Sequence, residues 1–177
     1  NIHVADFVFV VSKSCKGLYP SEYHDKIFII GNASDPKLFG FSPLPQELRV
    51  GFITGIAPGR GIEILIDAMN IVRKSLPQAI LSIAGTPQKA TLDYYNKLKE
   101  CHESDWLLFN DDVFYSTNAK DYFKGCYLTV IPHTDHIHYH TTLPVKLFDS
   151  LACGRPVVAT NCKETAEILV KYKCGLV

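Results

Sequence analysis

Thr141-Thr142-Leu143-Pro144-Val145-Lys146-Leu147-Phe148-Asp149-Ser150-Leu151-Ala152-Cys153-Gly154-Arg155-Pro156-Val157-Val158-Ala159-Thr160 reads as a polar loop, an amphipathic helix, a glycine stop and a buried strand. Pro144 suits the first helical position because it has no N–H to leave unpaired there. Gly154 suits the position just past the helix end because it can take positive φ. Val145, Phe148, Leu151 and Ala152 fall on one face at helical spacing and form the expected buried stripe. Lys146 and Asp149, three apart, share another edge near the amino-terminal end, a place that can hold an anion and a hydroxyl.

Outward from this unit the chain alternates between short apolar runs and amphipathic segments. Strands are predicted at 50–54, 79–84, 106–109, 127–131 and 157–159, with a sixth starting at Leu176. Between them, Ile62, Leu65, Ile66, Met69 and Val72 mark the buried face of one helix, and Leu92, Tyr95 and Leu98 that of the next. A short helix is expected at 119–124, an open loop from Pro132 to Thr142, and a helix around 164–170. Strands alternating with helices point to an α/β fold, a Rossmann-like open parallel sheet with helices on both faces. Ahead of this series, Ala5 to Val11 and Ile27 to Ile30 read as two further strands, with a turn and short helix at 12–19. The segment Ser42-Pro43-Leu44-Pro45-Gln46-Glu47 reads as a linker. Tyr94, Tyr95, Trp106 and Phe109 read as packing aromatics.

The 177 residues suit a single domain that buries roughly 70% of the surface its unfolded chain exposes. Eighteen Lys and Arg balance eighteen Asp and Glu, so no overall field draws the chain to nucleic acid or an anionic membrane. Any phosphate has to be caught locally. The six cysteines show no C-x-x-C pair and several lie in apolar runs, which reads as reduced thiols in a cytoplasmic protein. In that setting the Asn32-Ala33-Ser34 sequon has no meaning. No apolar run is long enough for an integral membrane segment.

In open α/β sheets ligands bind outside the carboxyl ends of the strands. Those ends are polar or glycine-bearing here: Gly55 to Gly61, Gly85 to Pro87, Asn110 to Tyr115, Pro132 to Thr142 and Asn161 to Glu164. Thr54 to Gly61 is a glycine-rich strand-to-helix loop whose free amides and Arg60 can meet a phosphate. Its glycines follow neither G-x-G-x-x-G nor the Walker pattern, so alone it fits an ordinary βα turn equally well. Lys146 combines an ammonium with a helix amino terminus and the Thr142 and Leu143 amides; the alternative is a solvated surface lysine. His133, His136, His138 and His140 crowd one loop with Asp135. Their spacing matches no structural metal site, so the expectation is that the loop contacts a phosphate or sugar hydroxyl and that no metal is bound.

The 141–160 unit resembles the donor-binding signature of retaining, nucleotide-sugar-dependent glycosyltransferases of the two-Rossmann-domain type, the GT-B glycosyltransferase group 1, or family 4-like, enzymes. Asp149 falls on the second of that signature's two acids, and the first falls on Thr141. Thr142-Leu143-Pro144-Val145-Lys146 resembles a Thr/Ser-x-Pro-x-Lys subtype, and Gly154-Arg155-Pro156-Val157-Val158 matches the Gly-x-Pro-Val-Val ending. Arg60-Gly61 matches the family's Lys-Gly, whereas its earlier Gly-Arg falls on Thr54-Gly55. The resemblance implies that 1–26 is the end of an amino-terminal acceptor domain and linker. It makes 27–177 a carboxyl-terminal nucleotide-sugar-binding domain truncated at its end, one half of a GT-B fold. It implies Arg60 and Lys146 as catalytic residues, and Gly55, Gly59, Gly61, Val113, Thr141, Thr142, Leu143 and Asp149 as donor-binding. The implied substrate is a nucleotide-diphosphate sugar, used without cofactor, with a saccharide, lipid or protein acceptor held by the missing domain. The fragment alone is expected to be inactive, and the complete protein to be cytoplasmic or peripheral at a membrane. Two alternatives keep the ligand class: a nucleotide-sugar 2-epimerase, and a non-catalytic nucleotide-sugar-binding or interaction module.

Overall fold

The structure is a computed structural model and describes residues 2–102, 104–114 and 117–177. A first group of elements comprises β1 (Val8–Val10), α1 (Lys13–Lys16), a 3-10 turn (Ser21–Lys26) and β2 (Ile27–Ile29). The main series is β3 (Arg49–Ile53), α2 (Ile62–Val72), β4 (Ile80–Ala84), α3 (Leu92–Cys101), β5 (Leu107–Asn110), α4 (Ala119–Lys124), β6 (Leu128–Ile131), α5 (Ile137–Thr141), α6 (Val145–Ala152), β7 (Val157–Ala159), α7 (Lys163–Tyr172) and β8 (Gly175–Leu176).

The main strands form one six-stranded sheet in the order β5-β4-β3-β6-β7-β8, with every neighbouring pair parallel. The chain runs outward from β3 to β4 and β5, crosses back to β6 on the other flank of β3, and runs outward again. This is the doubly wound order, in which connections leave the central strand pair in opposite directions and open a crevice there. β1 and β2 pair with each other in a separate parallel sheet, so the Ile27–Ile29 strand adds nothing to the six-stranded one.

Alternation along the central strand shows that both faces are covered. Phe52 packs in a core with Ile62, Leu65, Ile66 and Met69 of α2 and Tyr95 and Leu98 of α3. Ile53, pointing the other way, packs with Phe39 and with Ala119 and Phe123 of α4. Further along, Ile131 and Val157 meet Leu147 of α6 and Leu169 of α7.

Several expectations need correction. Val72 and Leu92, expected on buried faces, are exposed, since each lies at a helix end that overhangs its core. The 132–142 stretch is not an open loop, because α5 occupies its second half. The stripe predicted for the signature helix is displaced: Val145 is exposed, Phe148, Leu151 and Ala152 are half-buried, and the buried positions are Leu147, Asp149 and Ser150. The cause is on either side of the helix. The sheet takes Leu147, while the segment entering from residue 32 covers Asp149 and leaves it 1% exposed. Pro144 stands one position earlier than expected, as the cap residue with φ −71°.

The helix end is as read. Gly154 takes φ +76°, Gly154 N–H donates to the Leu151 carbonyl at 3.0 Å, and Arg155 N–H donates to that of Ser150 at 2.9 Å. This pair of bonds is the Schellman closure, and a side chain at 154 would strike the ring of Phe41. Arg155, 1% exposed, reaches back to the carbonyls of Ser42 and Pro43 at 3.0 Å each and ties the linker to the end of α6.

Candidate functional site

The crevice lies where β3 and β6 end side by side. β3 leads into the 54–61 loop, and the last glycine there has a steric reason to be one. Gly61 has φ +84°, and a Cβ on it would lie 1.8 Å from the Pro132 carbonyl oxygen. Only glycine lets the loop after β3 and the loop after β6 approach this closely. That approach brings Arg60, just before α2, toward Lys146, in the first turn of α6.

Both cations line a cavity of about 390 Å³, together with Ile53, Thr54, Gly55, Gly85, Thr86, Val113 and Phe114. Every lining residue comes from the carboxyl end of a strand or the loop after it, apart from Lys146. The Lys146 ammonium lies 4.8 Å from the centre of the Phe52 ring. Its pKa is pushed down to about 7, first by burial and then by the positive charge of Arg60. Near neutrality the two cations therefore compete, and an anion between them would relieve both the burial cost and the repulsion.

Behind them sits His133, 6% exposed and stacked on Tyr139 with ring centres 4.2 Å apart. Burial, followed by Lys146, Arg60 and His138, holds its pKa down to about 3. The imidazole is thus neutral throughout the physiological range, and its Nδ1 has no hydrogen-bond partner among the described residues. The other loop histidines serve local structure. His136 Nδ1 accepts from the His138 amide at 3.2 Å, and His140 Nε2 lies 2.8 Å from Asp135 Oδ1. No group of three or more His, Cys, Asp or Glu is placed to hold a metal among the described residues.

Of the residues singled out in the sequence, the cavity brings together Arg60, Lys146, Gly55 and Val113. It is not lined by Gly59, Gly61, Thr141, Thr142, Leu143 or Asp149. Gly59 and Gly61 shape the loop through positive φ. Thr141, 6% exposed, donates its hydroxyl to the Ile137 and His138 carbonyls, at 3.1 and 3.2 Å, and so closes α5 on itself. Thr142 is half-buried in the turn into α6, and its amide donates to His138 O at 3.1 Å. Leu143 is buried against Leu147. Asp149 lies one turn below Lys146, with its carboxyl pKa raised by burial and countered by the Ser34 hydroxyl. Its Oδ2 is unpaired among the described residues.

Thr54, Gly85, Thr86 and Phe114 went unassigned in the sequence, although all lie at strand ends, where ligands were expected. What was missing was the strand order, which sets β4 and β5 beside β3 on the cavity side. Val113, which the resemblance implied as donor-binding, lines the cavity; Tyr115, the end of the strand-end stretch from Asn110, lies outside the described residues. No helix of the described residues is long and apolar enough to cross a membrane.

Solved structures share this architecture. The chain superposes on Anabaena Alr3699/HepE in complex with UDP with a TM-score of 0.77 at 20% identity, covering 98% of this chain and 50% of that one. WaaG, a glycosyltransferase of lipopolysaccharide biosynthesis, gives 0.70 at 13% identity, with 96% and 48% covered. The carboxyl-terminal domain of the group 1 family glycosyl transferase LpcC from Francisella tularensis gives 0.65 at 19% identity, with 82% and 80% covered. The chain thus spans about half the length of HepE and WaaG. No curated protein matches it. The family model described as glycosyl transferases group 1 matches residues 47–177, the whole six-stranded sheet and the crevice at its centre, and the chain belongs to that family.

Proposed function

We propose that the chain is the donor-binding part of a retaining glycosyltransferase, taking a nucleotide-diphosphate sugar in the crevice between β3 and β6. The observation that carries this reading is the meeting of Arg60 and Lys146 in one cavity at the switch point. The diphosphate lies between these two cations, which supply its counter-charge without a metal. The nucleoside extends toward Gly85, Thr86, Val113 and Phe114. That HepE was solved with UDP, and also with UDP and glucose, supports the ligand class.

When the bond from the anomeric carbon to the phosphate oxygen breaks, its electron pair goes to the diphosphate. Arg60 and Lys146 stabilise the charge that develops there, a form of electrostatic preorganisation. The acceptor is held by a further domain, residues 1–26 being the end of it; its hydroxyl oxygen forms the new glycosidic bond on the face the leaving group vacates, and the hydroxyl proton passes to the departing phosphate oxygen. Without that domain donor and acceptor are not held in register, and transfer by this chain alone is negligible.

The test is calorimetric titration of UDP, GDP and ADP into the chain, with and without EDTA. One of the three binds, EDTA leaves its affinity unchanged, and Arg60→Ala or Lys146→Ala weakens it by about ten- to a hundredfold. Unchanged affinity in both variants would overturn the assignment.

A further inference from the structure

Polar ties cross from the segment 12–32 to the end of the crevice. Ser12 Oγ donates to the Thr141 carbonyl at 2.6 Å, in a buried setting. Asn32 Nδ2 donates to the Leu143 carbonyl at 2.5 Å. The Ser14 amide donates to Glu164 Oε1 at 2.8 Å, at the start of α7. The first two fall on either side of one peptide, and that placement matters because peptide units are planar. Holding the Thr141 carbonyl fixes the Thr141–Thr142 plane, whose N–H is bonded to His138 O at 3.1 Å. Holding the Leu143 carbonyl fixes the next plane but one, where the Pro144 ring also restricts φ. Between them hangs the peptide that carries the Leu143 N–H, which has no acceptor among the described residues. That donor precedes the first turn of α6, from which Lys146 reaches the cavity.

We propose that Ser12 and Asn32 are positioning residues for the donor site. From a segment outside the six-stranded sheet they clamp the 141–144 turn, so that the Leu143 amide faces the distal phosphate of the nucleoside diphosphate. The idea rests on the donor-binding reading above. A purely structural tie satisfies two buried carbonyls and nothing more, so its loss lowers stability without regard to which nucleotide is present. A clamp on the Leu143 amide is selective. Its loss weakens the diphosphate and spares the monophosphate, which has no distal phosphate to contact.

The experiment is calorimetry on the 177-residue chain with UDP, GDP and ADP, carrying the tightest of the three forward beside its monophosphate. Asn32→Ala is the cleaner variant, because Ser12 Oγ also accepts from the Cys15 amide at 2.9 Å and caps α1. Asn32→Ala and Ser12→Ala lower the diphosphate affinity about tenfold and leave the monophosphate unchanged, while Ser12→Thr keeps the wild-type ratio. A second measurement needs no variant: in the wild-type chain the diphosphate protects the Leu143 amide from hydrogen exchange and the monophosphate does not. If the wild-type chain binds none of the three diphosphates, the donor reading itself fails and the clamp with it. If it binds one, but the variants keep the diphosphate-to-monophosphate ratio within about twofold of wild type, or the Leu143 amide gains no protection, the clamp is overturned and the donor reading stands.

Discussion

Helix α2 buries Ile62, Leu65, Ile66 and Met69, all apolar, whereas α6 buries Leu147 together with Asp149 and Ser150. Both helices begin at the same crevice, one after β3 and one after the β6 loop. α2 covers one face of the sheet and meets water on its other side, so a single apolar stripe describes it. α6 is enclosed on two sides, by the sheet and by the segment entering from residue 32. Two of its three buried residues are polar, Ser150 on the sheet side beside Leu147 and Asp149 on the other. Ser150 Oγ donates to the Lys146 carbonyl at 2.7 Å and accepts from Thr129 Oγ1 at 2.8 Å. A helix that carries part of a site is therefore poorly described by its apolar pattern.

The comparison breaks most visibly under truncation of the α2 core. Ile66→Ala removes a side chain 1% exposed in the largest core cluster and lowers stability by about 2–5 kcal/mol, read by denaturant unfolding. In α6 the corresponding loss is polar. Ser150→Ala strands the buried Thr129 hydroxyl and costs about 1–3 kcal/mol by the same measurement; a cost no larger than that of an exposed substitution would mean that this polar contact between α6 and β6 is not buried in solution.

The third prediction concerns charge at the amino terminus of α6. Lys146 has a pKa of about 7 in the free protein, and a bound diphosphate raises it. Below pH 7 the ammonium is already present and affinity is greatest; above it, binding must first take up a proton. Measured against Lys146→Arg, which stays charged and shares the ligand's own phosphate ionisation, the wild-type diphosphate affinity accordingly falls about tenfold between pH 6 and pH 8. A wild-type profile parallel to that of Lys146→Arg would separate Lys146 from the diphosphate. The smallest effect is Val145→Ala, at the head of the stripe predicted for α6. The side chain is 44% exposed, and its truncation changes stability by no more than about 0.5 kcal/mol.

Local chemistry made much of the fold legible. The five strand-helix alternations, the short α4, the sixth strand at Leu176 and the glycine stop after α6 all follow from periodicity and from the conformational preferences of proline and glycine. α5 escaped because it is a single polar turn, four of whose five residues are His, Tyr or Thr, with no apolar stripe to betray it. For the site, the strand-end loop picked out Arg60, the helix amino terminus picked out Lys146, and Gly55 and Val113 came from the family resemblance. Thr54, Gly85, Thr86 and Phe114 were not assigned, because their part in the cavity depends on which strands are neighbours.

The sequence by itself determined where the strands of the six-stranded sheet and every helix but α5 lie, and which loops gather at the carboxyl edge of the sheet, since these depend on interactions between residues close in the chain. Only the tertiary structure decided the order β5-β4-β3-β6-β7-β8, the approach of Gly61 to Pro132, the burial of Asp149 and the lowered pKa of Lys146. Each of these arises from groups tens of residues apart, or more than a hundred in the case of Asp149 and Ser34. Steric contact, desolvation and charge repulsion act through space, and a pattern read along the chain records none of them.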